Sequence, residues 1–184
     1  MNCTTCKSKE CKNGTDCNGN KQEIIHLYKN KETQALIKDA SQLVDNGRAG
    51  SLSRVEELIE FIKSRKYKKI GVAYCIGFEN YAKNLSLLFN ANKIKHSIIC
   101  CITDGIREAE INSEKINTSI SCNPIGQALQ LKKDNVDLIV EIALCLGHDI
   151  LFHREINCDI TVLVVKDRKY NHCPLEGLKT NINF

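Results

Sequence analysis

From Lys68 onward the apolar and polar positions follow two alternating periods. Four short, nearly continuous apolar runs, at Ile70–Cys75, Ser97–Ile102, Asp137–Cys145 and Ile160–Val165, read as strands buried on both faces of a parallel sheet. Between them the spacing turns helical. Glu79 to about Asn92 sets Ala82, Leu85, Leu88 and Phe89 on one face; a second helix opens at Pro124 with Ile125, Ala128, Leu129 and Leu131; a short third one runs from His148 to Glu155. Strands alternating with helices imply right-handed crossovers. The predicted fold class is therefore α/β: a small doubly wound, Rossmann-like parallel sheet of about four strands. Glu141 is out of place inside the third strand and needs a sheet margin or a polar partner.

Upstream, two helices precede the sheet. One spans Lys31 to Asn46, with Leu36, Ile37, Ala40, Leu43 and Val44 on a stripe and Asn46-Gly47 closing it. The other opens at Ser53, where Ser-Arg-Val-Glu matches a capping box, and presents Val55, Leu58, Ile59 and Ile62. Residues 1–20 are polar and contain no hydrophobic residue besides Met1 and four cysteines, so they cannot build a core unless something ties them down. The expected organisation is a cysteine-rich metal-binding segment at 1–20, a helical hairpin packed on the core at 21–67, and an α/β domain at 68–184.

The 184 residues suffice to bury a core without covalent staples, so the 11 cysteines are not required for stability. No apolar run follows the opening Met1-Asn2-Cys3-Thr4-Thr5-Cys6, and no apolar stretch approaches the roughly 20 residues of a membrane span. A cytoplasmic location is expected. Thiols are kept reduced there, which favours metal ligation or thiol chemistry over a disulfide framework. The net charge of +4 is spread along the chain. Its one dense basic run, Lys63, Arg65, Lys66, Lys68 and Lys69, has only Tyr67 as an aromatic neighbour and reads as a solvated helix end. Neither nucleic acid nor membrane is expected as a partner.

Cys3-x2-Cys6-x4-Cys11-x5-Cys17 supplies four soft ligands separated by short loops, with turn chemistry from Asn13-Gly14 and Asn18-Gly19. The spacing matches neither zinc-ribbon pairs nor the usual ferredoxin run, so zinc and an iron–sulfur cluster both remain candidate cofactors.

A second group lies at the ends of the predicted strands. Cys75 ends the first, Cys100 and Cys101 lie near the end of the second, Cys145 ends the third, and Cys122 precedes the helix start Asn123-Pro124. The carboxyl ends of strands form the ligand crevice of an open parallel sheet, so four segments deliver sulfur to one edge. Any single cysteine here is most simply a small core hydrophobe; their shared location is what points to a site. Alternation sends Cys100 and Cys101 to opposite faces, and Cys101, nearer the edge, is the expected ligand. Cys145-x2-His148 has metal-pair spacing, and Asp149 stands beside it to orient an imidazole or bind a cation. Cys158, at the opposite end of the last strand, reads as structural, and His26, His96 and His153 as surface residues.

Cys75-Ile-Gly77, Cys100-Cys101, Cys122-Asn-Pro-Ile-Gly-Gln127, Leu144-Cys-Leu-Gly-His-Asp149 and Leu163-Val-Val-Lys-Asp-Arg168 together resemble a family of bacterial and archaeal proteins, mostly from anaerobes, known as domain of unknown function eighteen forty-seven. Its members are often described as metal-binding. The resemblance implies that Cys75, Cys101, Cys122, Cys145, His148 and Asp149 share a cofactor-binding site. The family's His-Asn-Pro step is His172-Cys173-Pro174 here, which leaves His172 a candidate and weakens Cys173.

The expected function is that of a metal- or iron–sulfur-binding protein in redox or metal handling, with a redox protein as its partner. A thiol- or cluster-dependent reductase or transferase is the alternative, with Cys122 or Cys145 as nucleophile or ligand, His148 as acid/base and Lys166 or Arg168 as an anion clamp. A small-ligand module with a structural zinc knuckle is the third reading; no G-x-G-x-x-G or G-x-x-x-x-G-K-[ST] follows any strand.

Overall fold

In the computed structural model, residues 2–116 and 118–179 are described. The chain divides between Leu52 and Ser53 into two compact units.

The first unit begins with two short 3-10 turns, Cys3–Thr5 and Glu10–Asn13, followed by helices α1 (Lys21–Tyr28) and α2 (Lys31–Ser41). Neither helix buries a residue. Helix α1 lies in a stretch for which the sequence pattern gave no helix; its apolar residues Ile24, Ile25, Leu27 and Tyr28 all remain exposed. Helix α2 is capped by Asn30, whose Oδ1 accepts the N–H groups of Glu32 and Thr33. It stops at Ser41, five residues short of the expected Asn46. Ser41 Oγ donates to Lys38 O at 3.0 Å, a local bond that competes with the helical ladder, and turns then lead to Asn46 and Gly47, both with positive φ.

The second unit opens with α3 (Arg54–Arg65) behind the expected capping box: Ser53 Oγ accepts from Glu56 N–H, and Glu56 Oε2 accepts from Ser53 N–H. Four strands follow, β1 (Ile70–Tyr74), β2 (His96–Cys100), β3 (Leu138–Ile142) and β4 (Asp159–Val164). They form one parallel sheet in the order β2-β1-β3-β4. Helix α4 (Glu79–Ala91) connects β1 to β2, α6 (Pro124–Lys133) leads into β3, and α7 (His148–Glu155) connects β3 to β4; the small helices α5 (Glu108–Ile111) and α8 (Leu175–Lys179) complete the unit. The fold is the predicted α/β parallel sheet.

The sheet separates two apolar layers. On one side Leu58 and Ile62 of α3 and Ala82, Leu85 and Phe89 of α4 pack on Val72, Leu138, Val140 and Ile142. On the other, Ala128 and Leu131 of α6 and Phe152 of α7 pack on Ala73 and Ile139. Successive residues along β1 and β3 thus serve opposite layers, as strand alternation requires. Gly71 allows the second layer to close on β1: a Cβ there would stand 3.0 Å from Val136 and 3.1 Å from both Ile139 and Leu131. Glu141 is 4 % exposed in the interior strand β3, and its polar partner is His153 of α7, Nε2 to Oε2 at 2.6 Å. His153, expected as a plain surface residue, satisfies this buried carboxylate.

Candidate functional site

The strands end earlier than their apolar runs suggest. As a result Cys75, Cys101 and Cys145 lie in the loops just beyond β1, β2 and β3 rather than within them. Ala143, at φ 54, breaks β3 two residues before its expected end and frees the loop that carries Cys145. The ladder persists one bond further: Cys75 N–H donates to Ile142 O at 3.1 Å and Cys101 N–H to Tyr74 O at 2.9 Å. Backbone pairing therefore fixes both cysteines at the carboxyl rim of the sheet.

Cys122 arrives there by a longer route. After Cys101 the chain leaves the sheet, forms the 3-10 turn Thr103–Gly105 and helix α5, and returns beside itself. Arg107 and Ile120 form an antiparallel bridge, Ser121 N–H donates to Ile106 O at 2.8 Å, and Asn123 N–H donates to Cys101 O at 2.6 Å. The excursion closes Cys122 onto Cys101. Asn123 then caps α6 as expected: its Oδ1 accepts from Gly126 N–H at 2.8 Å while its Nδ2 donates to Asp104 Oδ2 at 2.9 Å. Gly126 permits this close fit, because a Cβ there would come within 2.1 Å of Asn123 Nδ2. Gln127, fully buried, donates from Nε2 to Ile99 O at 2.8 Å and Tyr74 O at 3.2 Å, tying α6 to the ends of β1 and β2.

At the rim the sulfurs form a chain. Cys101, 2 % exposed, receives the Cys122 thiol at 3.5 Å and the Ile76 N–H at 3.3 Å. Cys75, also buried, receives Lys166 Nζ at 3.3 Å. Cys145 is half-buried and receives Arg168 Nη2 at 3.3 Å. The Cys101 thiol hydrogen-bonds to Cys75 and holds its pKa down to about 5; burial opposes this, and Gly77 N–H and Lys166 reinforce it. The same bond pushes Cys101 up, with burial adding to it. Burial likewise raises Cys122, and the charges of Cys145, Cys75 and Cys100 on it act in the same direction. Arg168 in turn is raised first by its bond to Cys145 and further by the charges of Cys145, Cys75 and Cys122.

The Lys166–Arg168 loop is shaped by its own turn. Asp167 Oδ1 accepts the N–H groups of Lys169 and Tyr170, and Asp167 N–H donates to His172 Nδ1 at 3.1 Å. The His172 ring meets Phe78 edge-on at 4.5 Å, and Lys166 Nζ stands 4.7 Å from the Phe78 ring centre. The two cations expected as an anion clamp thus face sulfur. His148 opens α7 half-buried, its N–H on Cys145 O at 2.9 Å. Asp149 turns one carboxylate oxygen to the N–H groups of Gly147 and Ile150. Cys158 lies at the opposite end of the sheet, packed partly against the second apolar layer, and Cys173 is exposed.

Among the described residues, no three His, Cys, Asp or Glu side chains converge closely enough as they stand to hold a metal ion. In the first unit Cys3, Cys6, Cys11 and Cys17 are all exposed; Cys3, Cys11 and Cys17 line a concavity of ≈ 410 Å³ whose floor includes Ile24, Ile25 and Tyr28.

Comparison with known proteins gives a family, described as protein of unknown function (DUF1847), whose profile matches residues 11–163. An uncharacterized protein, MJ0455, of Methanocaldococcus jannaschii is 40% identical over 176 residues, covering 94% of this chain and 90% of its own. No solved structure matches.

Proposed function

We propose, for a chain that belongs to the DUF1847 family of proteins of unknown function, that the carboxyl rim of its sheet binds a soft metal ion or an iron–sulfur cluster through Cys75, Cys101, Cys122 and Cys145, in the service of redox or metal handling. The observation that carries this reading is the gathering of four thiols at the carboxyl rim of one sheet: Cys122 lies 3.5 Å from Cys101, Cys101 hydrogen-bonds to Cys75, and Lys166 and Arg168 stand beside Cys75 and Cys145. The donors are soft, as Zn²⁺ and iron–sulfur clusters require. The 3.5 Å between the Cys101 and Cys122 sulfurs is close to the edge of a thiolate tetrahedron, about 3.8 Å for metal–sulfur bonds of ~2.3 Å. Four thiolates around a divalent ion leave two negative charges, and Lys166 and Arg168 match them. The Ile76 N–H on Cys101 is the kind of donor that surrounds ligating sulfur.

The present side-chain arrangement fits the ligand in chemistry but is not yet a cage: Cys145 would have to turn from Arg168 toward the other sulfurs. A cluster would supply one-electron transfer at this rim, whereas zinc would not. Cys3, Cys6, Cys11 and Cys17 form a second candidate site of the same chemistry. Anaerobic purification with quantitation of iron, zinc and acid-labile sulfide tests the reading. Bound metal is expected in the wild type; Cys101→Ser and Cys145→Ser remove the rim share and Cys3→Ser removes the share of the amino-terminal leader, residues 1–20. A metal content near zero in the anaerobic wild type overturns it.

A thiol-dependent enzyme remains the second reading because of one observation, Lys166 Nζ 3.3 Å from a Cys75 sulfur that Cys101 also hydrogen-bonds, an arrangement that lowers the thiol pKa. It moves the nucleophile from Cys122 or Cys145 to Cys75. Single-turnover labelling of the metal-free protein by a small electrophile, lost in Cys75→Ser alone, would favour it.

A further inference from the structure

We infer that Cys101 and Cys122 form a redox-active dithiol that a low-molecular-weight disulfide oxidises to an intramolecular disulfide bond. These are thiols that the metal reading also uses, but the inference stands on their geometry and needs no bound ion.

The two sulfurs are 3.5 Å apart, so bond formation requires an approach of about 1.5 Å, within reach of small side-chain rotations. The backbones are already side by side, joined by the Asn123 N–H to Cys101 O bond at 2.6 Å. Cys75 is the competing partner, since the Cys101 thiol also hydrogen-bonds to it. Lys166 Nζ, 3.3 Å from the Cys75 sulfur, favours its thiolate and so its reduced form. Cys145 is held by Arg168. Cys122 is also the more accessible member of the pair, half-buried where Cys101 is buried.

The chemistry follows that order. The Cys122 sulfur attacks one sulfur of the external disulfide, whose S–S bond breaks; one small thiol departs with the Cys122 proton, leaving a mixed disulfide on Cys122. The Cys101 sulfur then attacks Cys122 Sγ, the mixed disulfide breaks, and the second small thiol leaves with the Cys101 proton. Two electrons pass from the protein dithiol to the external disulfide, which becomes two thiols. The new bond staples the start of the excursion to the N-terminus of α6. Where the rim holds a metal, the same step removes two of its four ligands.

The test treats the full chain, stripped of metal by a chelator, with bis(2-hydroxyethyl) disulfide, followed by alkylation and tryptic mapping. The expected product is a cross-link between the peptide 96–107 and the peptide 116–132, with a mass loss of two hydrogens. It is expected in the wild type and in Cys100→Ser, absent from Cys122→Ser and Cys101→Ser, and reversed by dithiothreitol. The exposed leader thiols report in the same map that the oxidant reacted. Alkylated Cys101 and Cys122 alongside oxidised leader thiols would overturn the inference. So would a stable mixed disulfide on Cys122, or a cross-link that survives in Cys101→Ser. A chain that never binds metal leaves this result untouched, so the two proposals fail separately.

Discussion

Two regions of this molecule present the same residue type in opposite surroundings. In the leader, residues 1–20, Cys6, Cys11 and Cys17 make sulfur bonds to groups two or three residues away, and all four cysteines face solvent. At the sheet rim the sulfurs themselves are buried or half-buried, and they meet partners 21 to 91 residues distant. The leader's order is local, made by turns such as Asp16 accepting from Asn18, Gly19 and Lys21 N–H. A ligand bound there would have to supply part of that order. The rim is set in place by the folding of the sheet, which places its sulfurs before any ligand arrives.

The largest expected contrast concerns stability. Phe89, fully buried between α4 and the sheet, should cost about 3–5 kcal/mol when replaced by Ala. Leu27, 66% exposed on α1, should change unfolding by no more than about 0.5 kcal/mol on the same replacement. Urea denaturation of the two variants measures both; a comparable loss at Leu27 would mean that the first unit is cored after all.

A smaller effect separates the thiols by pH. The Cys75 pKa is lowered from 9.0 to about 5, so between those values the unfolded chain binds a proton that the native protein does not. Stability from this group is complete above 9.0 and is lost as pH falls through about 5, with a slope of at most about 1.4 kcal/mol per pH unit. Cys101, pushed upward, acts the other way, losing its contribution only as pH rises beyond the ordinary thiol range. In the metal-free protein Lys166→Ala should raise the Cys75 pKa and flatten the slope between about pH 5.5 and 8.5. Urea midpoints across that range, wild type against variant, measure the difference. A parallel pair of curves would remove Lys166 from the account.

The smallest contrast is between two helix caps. Ser53→Ala should lower the global stability by about 1 kcal/mol, because α3 contributes Leu58 and Ile62 to the core. Asn30→Ala removes an equally good cap from α2, which buries nothing. It should fray that helix, seen as faster amide exchange at Glu32 and Thr33, with no shift of the main unfolding transition.

Much of the fold was legible because its signals are local. Interior parallel strands must be apolar on both faces, which made β1 and β3 readable; the edge strands β2 and β4 showed the same short apolar runs but are only partly covered, and the Ser53 and Asn123 caps announced α3 and α6 from residue types alone. Helix α1 escaped because its adjacent apolar residues pack against no core and so leave no periodic stripe. The gathering of cysteines at the carboxyl rim followed from strand order and one rule of parallel sheets. What the sequence could not contain was the pairing across the rim. Cys122 reaches Cys101 only because the excursion after β2 folds back on itself, and Lys166 and Arg168 reach sulfur only because β4 lies beside β3. The partner of Glu141 likewise awaited the docking of α7 on the sheet. Local rules act through the few residues nearest in the chain, so sequence displays them; hydrogen bonds and charge pairs between distant residues depend on distances that exist only once the layers have packed.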